Sequence, residues 1–151
     1  MKIYYWSPFI SKVATVSSVI RSAESIVKYS KKKNINIAII DAIGEWKIYK
    51  KLINPKIEII NLNKKNFFEY LPKGGFFKSR FSYIFIFVIT FFKLLKLINK
   101  EKPDYLITHL LTSLPIFLTL IFKSKTKIVL RISGMPKLNF IRYIFWKLFS
   151  K

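Results

Sequence analysis

"INIAIIDA", residues Ile35 to Ala42, is the stretch on which the fold turns. Its apolar residues run almost without a break, as in a strand buried on both faces rather than one facing water on alternate residues. Just upstream, Val13, Val16, Val19, Ile20, Ala23, Ile26 and Val27 recur at helical spacing. Lys12, Ser17, Arg21, Glu24, Lys28 and Lys31 fall on the opposite face, so the spacing predicts an amphipathic helix. Further upstream, "KIYYW" (Lys2 to Trp6) is aromatic or β-branched and stops at Ser7-Pro8, a strand and its turn. Strand, helix and buried strand make a βαβ unit, whose crossover is right-handed.

The pattern repeats downstream. Lys56 to Leu62, after Pro55, reads as a strand, and "LPKGGFF" with Gly74 and Gly75 as a loop. A long helix is expected from Ser79 to Lys100, broken at Pro103-Asp104 before a strand from Tyr105 to His109. Thr112 or Ser113 is placed to cap a helix with Pro115 in its first turn. Lys127 to Ser133 is the last strand; Gly134 and Pro136 turn the chain into a helix from Phe140 to Phe149. About five strands alternating with helices predict an α/β fold, a Rossmann-like doubly wound parallel sheet with helices on both faces. The 151 residues make one such domain.

Composition narrows the function. A 52% hydrophobic content excludes a disordered polycation. The 28 Lys and Arg against 7 Asp and Glu give a net charge of +21, which attracts nucleic acid or an acidic membrane leaflet. Lys together with abundant Ile, Asn and Phe is also what an AT-rich genome writes, so the charge alone does not decide. Without cysteine there is neither a disulfide nor a Cys-based metal site, and the single histidine, His109, cannot build a His-rich one. "MKIYYWSPFI" lacks the apolar core and cleavage site of a signal peptide, so a cytoplasmic location is expected.

Two apolar stretches open another reading, a small two-span integral membrane protein. Phe81 to Phe92 carries no charge over 12 residues, too short for a span, and Tyr105 to Phe122 none over 18, at the lower limit. The second contains Thr108, His109, Thr112, Ser113 and Pro115, poor choices for the centre of a span. In the helix after Gly75, the aromatic Phe81, Tyr83, Phe85, Phe87, Phe91 and Phe92 precede Lys93, Lys96 and Lys100. That suits an interface helix with lysines toward anionic head groups; the alternative is a core helix with a lysine-bearing outer face. Apolar residues nearly encircle it, more than one sheet can cover. Arg80, Phe85, Lys93 and Lys96 are the expected membrane contacts. A basic nucleic-acid-binding domain is the remaining alternative, but the aromatics lie in apolar runs rather than between Lys and Arg, so no nucleic acid is expected as partner.

In a parallel sheet, ligands bind beyond the carboxyl ends of the strands. The candidate loops are Ser7 to Thr15, Ala42 to Trp46, Thr108 to Ser113 and Arg131 to Pro136. Ser7, Ser11 and Thr15 precede or open a helix, an edge suited to oxygen or phosphate, but without the glycines of a dinucleotide or Walker loop. His109, flanked by Thr108 and Thr112, suits a bond to a sugar hydroxyl or general-base work, or else a purely structural role. Arg131, beside Ser133-Gly134, suits phosphate or carboxylate, or an ion pair with Asp104 or Asp41. Asp41 and Glu45 are thin material for paired-carboxylate chemistry, and no catalytic residue is named.

"KIYYWSPF", "KPDYLITHLLTSLP" and "KIVLRISGMPKLNFIRYIFWK" together resemble the N-terminal, acceptor-side domain of GT-B glycosyltransferases, particularly the family 4 enzymes of polysaccharide and lipopolysaccharide assembly. The resemblance implies a sugar transferred from a nucleotide-sugar donor to a lipid-linked or saccharide acceptor. It implies acceptor contacts from Ser7 to Thr15, His109 as a cleft residue, and Ser133-Gly134 as the second wall. It also implies attachment at the inner face of the cell membrane through basic and aromatic surface. Two departures stand out. The family's glycine-rich first loop is replaced by "SPFISKVATVSS", and the C-terminal domain with its E-x7-E element and donor site is missing. No cofactor site is therefore expected in this chain. It is expected to be inactive alone, either a fragment or a split subunit served by a separately encoded donor-binding half.

Overall fold

A computed structural model describes residues 1–30 and 34–131, with Phe140, Tyr143, Ile144 and Lys147, apart from the side chain of Phe76. In chain order the elements are β1 (Lys2–Trp6), α1 (Ala14–Tyr29), β2 (Asn36–Asp41), a 3-10 helix (Lys47–Leu52), β3 (Ile57–Asn61), α2 (Phe76–Glu101), β4 (Tyr105–Thr108), α3 (Ser113–Ile121) and β5 (Lys127–Leu130). Phe140, Tyr143, Ile144 and Lys147 are helical; the rest of the expected last helix lies outside the described residues.

The five strands form one sheet in the order β3-β2-β1-β4-β5, with every pair parallel. Tyr5 lies between Ile39 of β2 and Ile107 of β4, so the aromatic first strand is the centre of the sheet. Tyr4, Tyr5, Trp6, Ala38, Ile39 and Ile40 are fully buried, as expected of strands covered on both faces. The chain winds one way from β1 to β3 and the other way from β4 to β5. Right-handed crossovers then set α1 on one face and α2 and α3 on the other. The last two pack together through Phe91 and Phe117, ring centroids 6.1 Å apart.

The 18 uncharged residues from Tyr105 divide into β4 and α3, with Leu106, Leu114, Ile116 and Leu118 in the core. They are not one span. Helix α2 is, among the described residues, the one helix long and apolar enough to cross a membrane. Yet Ser82, Ile86, Thr90, Leu94 and Ile98, at intervals of four, are buried against the sheet. Its two inward hydroxyls are satisfied within the protein: Ser82 Oγ donates to Pro72 O at 2.8 Å and Thr90 Oγ1 to Ile86 O at 2.6 Å.

Candidate functional site

The sheet changes direction between β1 and β4, and the loops leaving these two strands are stitched together. The His109 N–H donates to Trp6 O at 2.9 Å, carrying the pairing one residue past β4. Trp6 Nε1 donates to Leu111 O at 3.1 Å, and the Arg131 N–H to Thr108 O at 2.9 Å. Leu111 is left-handed, with φ 52°, a conformation that costs a non-glycine residue about 1 kcal/mol or more. Its carbonyl is thereby turned to meet the Trp6 indole.

Four buried side-chain polar atoms among the described residues have no hydrogen-bond partner: Ser7 Oγ, Asp41 Oδ2, Trp46 Nε1 and His109 Nε2. Each lies at, or just beyond, the carboxyl end of β1, β2 or β4. Asp41 has an internal explanation. Burial, and then the neighbouring Asp41, push the Glu45 carboxyl well above the usual carboxylate range. The Asp41 side chain lies beside that carboxyl, and its Oδ1 accepts from the Gly44 N–H at 2.6 Å. The two Glu45 oxygens accept from the N–H groups of Ala42 and Ile43 at 3.1 and 2.7 Å. This is a turn held by two carboxyls, not a pair open to substrate.

Ser7 is 0% exposed and His109 3%. The His109 ring stacks on Tyr5, centroids 6.4 Å apart, and desolvation followed by the positive charge of Arg131 pushes its pKa down to about 4. It is therefore neutral at physiological pH, with Nε2 able to donate or accept according to tautomer. Ser7 Oγ and His109 Nε2 are thus unmet polar atoms just past the neighbouring strands β1 and β4. Leaving either unmet costs about 1–3 kcal/mol.

The other expected residues are placed around this pair. Ser11, Thr15 and Thr112 are half-buried. Neither α1 nor α3 has a side-chain cap at its N-terminus, so both present backbone N–H groups at the carboxyl end of the sheet. Arg131 is exposed and forms no ion pair with Asp104 or Asp41; its Nη1 reaches Ser18 O at 3.5 Å. It lines a cavity of about 730 Å³ along α1 with Ser18, Arg21, Ser22, Ser25 and Tyr29. Ser133 and Gly134 lie outside the described residues. Of the expected membrane contacts, Arg80 and Lys96 are exposed, Phe85 is half-buried against Phe67, and Lys93 donates from Nζ to Asn63 Oδ1. Trp46, at the end of the candidate loop from Ala42, is fully buried against Phe9 and Tyr49 with its Nε1 unmet. Among the described residues no three His, Cys, Asp or Glu gather to hold a metal.

These features define a Rossmann-type α/β domain with unmet polar groups at the carboxyl ends of its strands. Among solved structures it is similar to UDP-GlcNAc 2-epimerase from Neisseria meningitidis bound to UDP-GlcNAc, at a TM-score of 0.53 and 16% identity. The match covers 99% of this chain and 36% of the epimerase chain. At that identity the likeness is one of fold. No family model and no curated protein matches the chain.

Proposed function

We propose that this domain is the acceptor-binding half of a glycosyltransferase, holding a lipid-linked or saccharide acceptor at the carboxyl ends of β1 and β4. The observation that carries this reading is the clustering of buried, unpartnered polar atoms at the strand ends, with Ser7 and His109 at the switch point. A sugar hydroxyl satisfies both, donating to one and accepting from the other. The neutral imidazole orients that hydroxyl and, with its pKa near 4, holds a proton only weakly. Transfer itself needs a donor-binding half, which supplies the nucleotide sugar and its site.

Calorimetric titration tests the reading with three probes: a polyprenyl-diphosphate-linked monosaccharide, a free oligosaccharide, and UDP-GlcNAc. At least one of the first two binds, and Ser7→Ala or His109→Gln weakens it about tenfold, the loss expected when a buried partner is left unmet. Binding of UDP-GlcNAc alone, dependent on the same two residues, would make this a donor site and sink the acceptor reading.

A further inference from the structure

The outer face of α2 is the most anomalous surface of the molecule. Phe77, Phe81, Ile84, Val88 and Phe92 recur at steps of four, three, four and four, so they lie in one row. They are 83%, 62%, 63%, 64% and 75% exposed, although the opposite row of the same helix is in the core. The row does not end with α2. The Phe92 ring touches Phe91 at 5.0 Å, and Phe91 touches Phe117 of α3. From there Leu120, Ile121 and Phe122 continue it, each about half exposed.

Basic residues flank this surface. Arg80 stands three residues after Phe77 and four before Ile84, Lys78 three before Phe81, and Lys96 four after Phe92, all exposed. Beyond α3 come the exposed Lys123 and Lys125. No acidic residue lies between Phe76 and Lys100, or between Tyr105 and Arg131. A second copy of this chain would bring the same cations face to face, so charge argues against self-association. An anionic bilayer takes the apolar row into its acyl boundary and meets the flanking cations with head-group phosphates.

We propose that α2 and α3 form a monotopic docking face for an anionic membrane, with α2 lying in the plane of the interface rather than across the bilayer. The face is independent of the acceptor site and stands or falls separately. Because α2 starts at the carboxyl end of β3 and ends at the amino end of β4, a flat α2 sets the strands alongside the membrane. The β1–β4 site then opens sideways, within reach of a head group.

Co-sedimentation of the full chain with vesicles tests this. It pellets with phosphatidylglycerol vesicles and much less with phosphatidylcholine. Combined Phe81→Ser, Val88→Ser and Phe92→Ser lower the bound fraction about tenfold or more, as loss of inserted apolar area requires. Combined Lys78→Gln and Lys96→Gln remove the preference for anionic lipid, while Lys50→Gln and Lys51→Gln on the 3-10 helix change nothing. With Phe92→Trp, fluorescence is quenched by bromines placed high on the acyl chains and not by bromines at the bilayer centre. No binding to phosphatidylglycerol, binding untouched by the serine substitutions, or quenching from the bilayer centre would each overturn the proposal. So would a dimer in dilute solution that the serine substitutions dissociate, which assigns the face to a second copy.

Discussion

His109 and Glu45 pull the pH dependence of stability in opposite directions. The folded state holds His109 near a pKa of about 4, below the 6.5 of a free imidazole. Its contribution is therefore present above pH 6.5 and lost as pH falls through 4, and amounts to about 3 kcal/mol at most. Glu45 is raised, so its contribution is complete below the ordinary carboxylate pKa and fades as pH rises through its elevated folded value. Urea midpoints measured from pH 4 to pH 9 check both. In His109→Gln the loss between pH 6.5 and 4 disappears; in Glu45→Gln the decline that sets in above the ordinary carboxylate pKa disappears. Unchanged slopes in either variant would mean that its titration is not coupled to folding.

Among the elements, the turn after β2 makes the next test. Gly44 has φ 95°, and a Cβ there would stand 2.5 Å from Asn66 Oδ1. Asn66 is not free to retreat, since its Nδ2 donates to Glu69 at 2.9 Å and its Oδ1 accepts from the Phe68 N–H at 3.2 Å. Gly44→Ala should cost about 1–3 kcal/mol in chemical unfolding; an effect under a few tenths would show that the two loops are not interlocked. Elements of this kind were only partly legible beforehand. "KIYYW" gave β1 to the residue, because an aromatic run ended by Ser-Pro has one reading. Helix α2 starts three residues before the expected Ser79, since Gly75, with φ 82°, takes the N-cap position. β5 runs from Lys127 to Leu130, and the expected end at Ser133 lies outside the described residues. Ser7 and His109 stood out through their places after strands. The burial of Asp41 beside Glu45 did not, because burial of both acids depends on how separate segments pack.

For the molecule as a whole, the parallel α/β architecture followed from the alternation of buried strands with helices, whereas the order β3-β2-β1-β4-β5, and with it the switch between β1 and β4, is not written in that alternation. Part of the basic surface lies where Lys78, Arg80 and Lys96 accompany the exposed apolar row of α2. At the other surface, the β1–β4 end, amide hydrogen exchange mapped by peptide reports where a ligand is held. With a polyprenyl-diphosphate-linked monosaccharide present, amides in 7–16 and 109–114 should become slower to exchange, and Ser7→Ala with His109→Gln should abolish that protection. Protection confined to α1 or to β3, with those two loops unaffected, would show that the ligand is held elsewhere.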